Sequence, residues 1–243
     1  MKPFLLLASR AEAQAADEEY AAFLRFGGLY ERQLERRRLE REPMGEVDLD
    51  AYSGVILGGS PYTITDPETE KSSAQVRVED ELAVLLDEVI GRDIPFLGAC
   101  YGIGVIGRHQ GAIVDRTYPE PVGSATLRLT ADGRADPLFS VVPDVFEAFL
   151  GHKEAVAKLP EHLVLLASSA ACPVQAFRVG KNVYATQFHP ELDVPGIQHR
   201  IEIYKGYGYF DADEAQDLKD AAARSEVVHP PALVRRFVKL YSG

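Results

Sequence analysis

The chain predicts an α/β fold built on a mostly parallel central sheet, on three observations. Short apolar runs alternate with longer amphipathic stretches, which is the rhythm of strand–helix units. Some runs, such as Val55-Ile56-Leu57, are apolar at every position, as a strand covered on both faces requires. Small residues close two of these runs, at Gly58-Gly59 and Gly98-Ala99, where a strand hands over to the next element.

Residues 4–8 are apolar for only five positions before Arg10. That is too short for a signal-peptide core and reads as a first buried strand. A helix is expected over 13–26. The segment 33–42 is rich in helix formers, yet it falls where a second strand is needed, and its alternation of Leu34, Arg36, Arg38 and Glu40 favours a polar edge strand. A strand follows over 54–57. Residues 63–73, rich in Pro, Asp, Thr and Ser, read as a surface loop. Helices are expected over 73–90 and 102–110, with a strand at 94–97 between them. Strands are then expected at 112–115, 125–129, 145–150, 164–167, 174–179 and 182–188, the last two joined as a hairpin by Gly180-Lys181. Helices over 195–204, 212–224 and 231–240 complete the chain. No repeat or linker interrupts it, so one domain over 1–205 is expected, with a helical C-terminal extension over 206–243 packed on it.

The 243 residues, 46% hydrophobic, suffice for a substantial core. The net charge of −11 argues against a nucleic-acid partner, which needs concentrated Lys and Arg. The one basic cluster, Arg36-Arg37-Arg38 with Arg41, is interleaved with Glu35, Glu40 and Glu42 and reads as a solvated surface. No apolar stretch approaches the ~20 residues that span a bilayer, so no membrane partner is expected. The two cysteines, Cys100 and Cys172, do not suggest a disulfide scaffold. They read as free thiols of a cytoplasmic protein.

Cys100 lies two residues past Gly98, between an apolar run and a stretch with helical potential. This is the layout of a nucleophile elbow, whose tight turn demands small neighbours. A helix N-terminus beside the sulfur would favour the thiolate. His189 and Glu191, separated by Pro190, supply a base and a carboxylate to orient it. At i and i+2 of a strand end they would point the same way. The loop Gly58-Gly59-Ser60-Pro61 offers an oxyanion site, with the backbone N–H of Gly59 and of Tyr101 as the two donors. Tyr101 would shape the pocket mouth or simply pack. Cys172, at a strand entry, reads as packing. His109, His162, His199 and His229 lack metal-type spacing, so no metal is expected. The tyrosines Tyr204, Tyr207 and Tyr209 read as anchors for the C-terminal extension.

Gly98-Ala99-Cys100-Tyr101-Gly102, Gly58-Gly59-Ser60-Pro61 and Gln187-Phe188-His189-Pro190-Glu191 resemble the three signatures of class I (triad type) glutamine amidotransferases. Gly151-His152-Lys153-Glu154-Ala155-Val156, with Leu159-Pro160, resembles the Ser-His-Gly-Asp-x-Val…Leu-Pro loop of the GMP-synthase-like branch. Cys172-Pro173-Val174-Gln175-Ala176-Phe177 is also similar to that branch, and the likeness runs over about residues 1–205. It implies a flavodoxin-like three-layer α/β/α sandwich and hydrolysis of the γ-amide of glutamine through a thioester on Cys100, with no cofactor. It also implies substrate contacts at Gly58, Gly104, His152, Lys153 and Glu154, His152 lining the substrate loop rather than acting as base. The 243 residues leave no room for a synthetase domain, so ammonia would be released or passed to a separate synthetase or acceptor protein.

Two departures bear on the substrate. The family usually has Gln where this chain has Gly104, and Ser-His-Gly-Asp where it has Gly151-His152-Lys153-Glu154. A γ-glutamyl peptide hydrolase, whose leaving amine is larger than ammonia, is therefore a second expectation. A third, from another class, is a non-catalytic protein that binds a metabolite or a partner. The intact set Cys100, His189 and Glu191 argues against that.

Overall fold

The computed structural model describes residues 2–243. Five strands lie side by side and parallel in the order β2 (Leu34–Arg38), β1 (Phe4–Ala8), β3 (Gly54–Leu57), β4 (Phe96–Ala99) and β11 (Val183–Thr186). Four more extend the sheet with antiparallel pairing: β10 (Ala176–Val179), β9 (Val164–Ser169), β6 (Glu120–Leu129) and β7 (Val145–His152). The mostly parallel sheet of nine strands is flanked by helices on both faces.

Alternation along the strands sorts the core into two layers. Leu5, Leu7, Val55 and Leu57 face α2 (Ser73–Gly91), through Val78, Leu82 and Leu86, and α3 (Tyr101–His109), through Ile103 and Ile106. Phe4, Leu6, Ile56 and Leu97 face the other way. There they join Phe23 of α1 (Ala13–Gly27) and Leu233, Val234 and Phe237 of α7 (Pro231–Tyr241). A third cluster joins Phe149 and Leu192 to Ile197 and Ile201 of α5 (Val194–Tyr204) and Ala215 and Ala222 of α6 (Ala215–Ala223). Among the described residues no helix is long and apolar enough to cross a membrane.

The ambiguous segment 33–42 does contain the edge strand β2, whose arginines bond outward, Arg36 to Asp17 at 2.8 Å and Arg37 to Glu35 at 3.1 Å. The expected hairpin at Gly180 is present, with φ +55° at the glycine, and the Asp93 carboxylate accepts the N–H groups of Lys181 and Asn182 at 3.0 Å. Several expectations need correction. The strand at 112–115 is β5 (Ile113–Asp115) and leaves the main sheet to pair with β8 (Ala155–Lys158), a strand too short to stand out in sequence. The strand at 125–129 begins five residues earlier, at Glu120. A one-turn helix, α4 (Ala131–Ala135), capped by Thr130, has no counterpart among the expected elements. The helix expected over 212–224 opens instead with a separate turn at Ala212–Glu214.

Candidate active site

Cys100 sits between β4 and α3 with φ +52° and ψ −90°, a conformation few non-glycine residues adopt. Three local features hold it there. Its N–H donates to the carbonyl of Thr186 at 2.8 Å, tying the turn to β11. The helix starts at the next residue. Gly98 lets that helix close on the strand: a Cβ there would come within 3.0 Å of the Gly102 Cα and 2.9 Å of the Ile106 Cδ1. The thiol side remains partly open.

His189 and Glu191 come from a turn, not a strand. β11 ends at Thr186, where the threonine hydroxyl donates to the Phe188 carbonyl at 2.9 Å and pins the turn that follows. The His189 N–H donates to the Phe149 carbonyl at 2.9 Å. The two side chains converge within that turn, His189 Nδ1 lying 2.8 Å from Glu191 Oε1. Both are buried, at 7% and 1% exposed. Burial disfavours the imidazolium, but the charge of Glu191 and the charge and hydrogen bond of Cys100 outweigh it and raise His189 above its ordinary value. Glu191 is held below the usual carboxylate range for the converse reason: burial opposes its charge, and the His189 charge and hydrogen bond overcome that.

The loop after β3 lies against this pair. A Cβ on Gly59 would come 2.6 Å from the His189 Cε1 and 2.4 Å from the Arg10 Nη2, and one on Gly58 would strike Glu19. Only glycine permits this approach. Tyr101 is buried at 3% exposed, edge-on to Tyr62 with centroids 6.2 Å apart. It packs in the core and also lines the smaller of the chambers at Cys100, and burial raises its phenol well above the ordinary value.

Cys100 stands where two small chambers meet. One, of about 30 Å³, is lined by Tyr62, Lys153, Glu154 and Gln187. The other, of about 60 Å³, is lined by His189, Arg10, Arg200 and several apolar side chains. Ser60, Gly151 and Tyr209 border both. Tyr209 also stacks on the Lys153 ammonium at 4.4 Å. It thus roofs the site besides anchoring the chain, although Tyr204 and Tyr207 do pack together at 5.1 Å.

Glu154 occupies the space next to Gly104. A Cβ on that glycine would lie 3.2 Å from Glu154 Oε1. The carboxylate accepts the N–H groups of Ile64 and Thr65 at 2.9 and 2.8 Å. Burial raises its pKa despite these bonds. His152 borders the same chamber, but its ring is spent on structure. Nδ1 donates to the Glu154 carbonyl at 2.8 Å, and Nε2 lies 2.9 Å from Glu120. His152 therefore braces the loop from behind.

Glu120, His152 and Cys172 form a second buried cluster, their donor atoms within 4.8 Å of one another. Sequence spacing gives no hint of it, because β6, β7 and the approach to β10 bring the three together. Glu120 also accepts from Ser169 and Gln175, so the cluster is a hydrogen-bonded brace. Burial pushes the Cys172 thiol up to about 11, which keeps it neutral and unreactive. Sequence reasoning also passes over Arg10, Glu19 and Arg200. Their signal is present: Arg10 follows a fully apolar strand at the end where α/β sites lie, and Arg200 sits on the apolar stripe Ile197–Ile201–Tyr204 of α5.

An open α/β sheet with a cysteine elbow facing a histidine–carboxylate pair is the setting of amide hydrolysis through a thioester. The chain belongs to the class I glutamine amidotransferase family, whose model matches residues 29–200. Relatives by sequence include glutamine-hydrolyzing GMP synthases. That of Christiangramia forsetii is 30% identical over 70% of this chain and 32% of its own length, and that of Lactobacillus delbrueckii 31% identical over 80% and 36%. The chain thus spans about a third of the length of these relatives. In fold it is similar to a glutamine amidotransferase from Thermotoga maritima, with TM-score 0.77 and 23% identity over 98% of this chain and 99% of that one. It is also similar to a glutamine amidotransferase from Methylobacillus flagellatus, with TM-score 0.73 and 18% identity over 100% and 93%.

Proposed function

We propose that the protein hydrolyses the γ-amide of glutamine or of a γ-glutamyl compound, with Cys100, His189 and Glu191 as its catalytic residues. The observation that carries this is the strained elbow at Cys100, set against an imidazole that a buried carboxylate holds at 2.8 Å. Cys100 gives its proton to His189 as Sγ attacks the γ-carbonyl carbon, and the backbone N–H groups of Gly59 and Tyr101 receive the oxyanion. His189 passes its proton to the leaving nitrogen as the C–N bond breaks, leaving a γ-glutamyl thioester. His189 then takes a proton from water, which attacks the thioester and frees glutamate and the thiol. Glu191 holds the imidazole in place and stabilises its charged form. Lys153 and Glu154 border the glutamyl half, while Gly58 and Gly104 support it from behind, packed against Glu19 and Glu154. In this reading Cys100 and Cys172, both unpaired, fit a cytoplasmic setting.

With glutamine as substrate the leaving group is ammonia, released or handed to a separate synthetase or acceptor protein. The names of the sequence relatives make a nucleotide synthetase the first partner to test. The alternative leaving group, a larger amine, is favoured by the second chamber at His189. Glutamate release from glutamine and from γ-glutamyl amides, with Cys100→Ser and His189→Ala as controls, tests the reading. Either variant should lose at least about a thousandfold in turnover while keeping its fold, and retention of most activity would refute the assigned roles.

A further inference from the structure

The chamber beside His189 is larger than ammonia needs, and two buried arginines line it. Arg10 and Arg200 are only 4% and 7% exposed. Arg10 is committed, its Nε donating to Glu19 at 2.9 Å and its Nη1 to the Tyr204 hydroxyl at 3.2 Å. Arg200 is not. Its nearest carboxylate contact, Nη2 to Glu19 Oε1, is 3.7 Å long, and its Nε and Nη1 are buried with no hydrogen-bond partner. An unsatisfied buried guanidinium is costly, and the Arg200 side chain borders both this chamber and a neighbouring one beside Glu191 and Asp193. Arg10 takes the short contact to Glu19, so the Arg200 guanidinium is left without a close ion-pair partner of its own. The rest of the wall is apolar, through Val122, Leu150, Leu192, Ile197 and Ile201.

Which half of the substrate enters this chamber follows from proton transfer. The leaving nitrogen must take its proton from His189, and of the two chambers only this one is lined by His189. We infer that the leaving amine carries a carboxylate on a short aliphatic chain, which Arg200 grips as a two-pronged partner, so that the preferred substrate is a γ-glutamyl amide of a small amino acid. A guanidinium matches a carboxylate in both charge and fork geometry. The apolar wall suits the intervening methylenes. Hydrolysis yields glutamate and the free amino acid, the proton on the new amine coming from His189.

This inference rests on the thioester reading of Cys100, and the test separates the two. Three substrates are compared for kcat/KM: glutamine, γ-glutamyl-4-aminobutyrate, and the same compound with its distal carboxylate capped as an amide. The wild-type protein should prefer the carboxylate form over the capped form by about tenfold or more, the factor expected from one charge-assisted pair. In Arg200→Gln that ratio should fall towards one, and Arg200→Lys, which keeps the charge but not the fork, should restore it only in part. Equal cleavage of the two forms by wild-type protein would overturn the inference even if Arg200→Gln failed to fold. Cleavage of no substrate, with no acylation of Cys100, would instead overturn the reading of the site on which it stands.

Discussion

At Cys100 the backbone holds a positive φ that a β-carbon resists, and small neighbours on both sides make that possible. Gly98 is the sharpest test of the arrangement. Gly98→Ala would push a methyl group into the Gly102 backbone at 3.0 Å, and overpacking of this kind costs about 1–3 kcal/mol. A drop of that size in chemical denaturation, with a larger fall in turnover than in folded fraction, is the expected result. The residue scale also fixes the pH behaviour. Glu191 is the chief influence raising His189, against burial that lowers it. With His189 as the proposed proton donor, an alkaline limb of kcat/KM is expected where it loses its proton, at about 9. Glu191→Gln should move that limb down by more than about one pH unit. The same pairing links stability to pH. Because the folded state holds the His189 proton more tightly, its contribution is complete below the ordinary value of 6.5 and fades as pH rises through about 9.

At the scale of elements, the site is assembled from the ends of neighbouring parallel strands, β1, β3, β4 and β11, and that is why so much of it is legible in the sequence. Each strand announces itself as an apolar run, and the turns after β3, β4 and β11 each carry a Gly or a Pro. What is not legible depends on tertiary contact. Sequence pattern puts His189 and Glu191 on a strand extension, but β11 ends at Thr186 and a turn, pinned by the Thr186 hydroxyl, brings them together. Motif likeness gives His152 to the substrate, yet Glu120, thirty-two residues away in sequence, takes one of its nitrogens. The small strand β8 exists because β5 pairs with it, a match no local pattern encodes. Glu154 ties the loop after β3 to the loop after β7 through two backbone N–H groups. Glu154→Ala strands the buried N–H of Ile64 and frees the half-buried one of Thr65, and should cost about 1–3 kcal/mol, read as a lower midpoint in thermal unfolding.

Over the whole molecule, two apolar layers clamp the sheet, and the C-terminal segment belongs to one of them. Phe237 of α7 is fully buried against Phe4, with ring centroids 5.9 Å apart. Phe237→Ala should cost about 3–5 kcal/mol, and a change below about 1 kcal/mol would mean that α7 is dispensable for the core. The same segment carries Tyr209 over the junction of the two chambers, so the part of the chain that completes the fold also roofs the site. Peptide mapping after reaction with a glutamine-like chloroketone decides whether the thiol on the elbow, and not the buried one, does the chemistry. One adduct per chain is expected, on Cys100, lost in Cys100→Ala and slowed in His189→Ala. An adduct on Cys172, or none on Cys100, would contradict that role for Cys100.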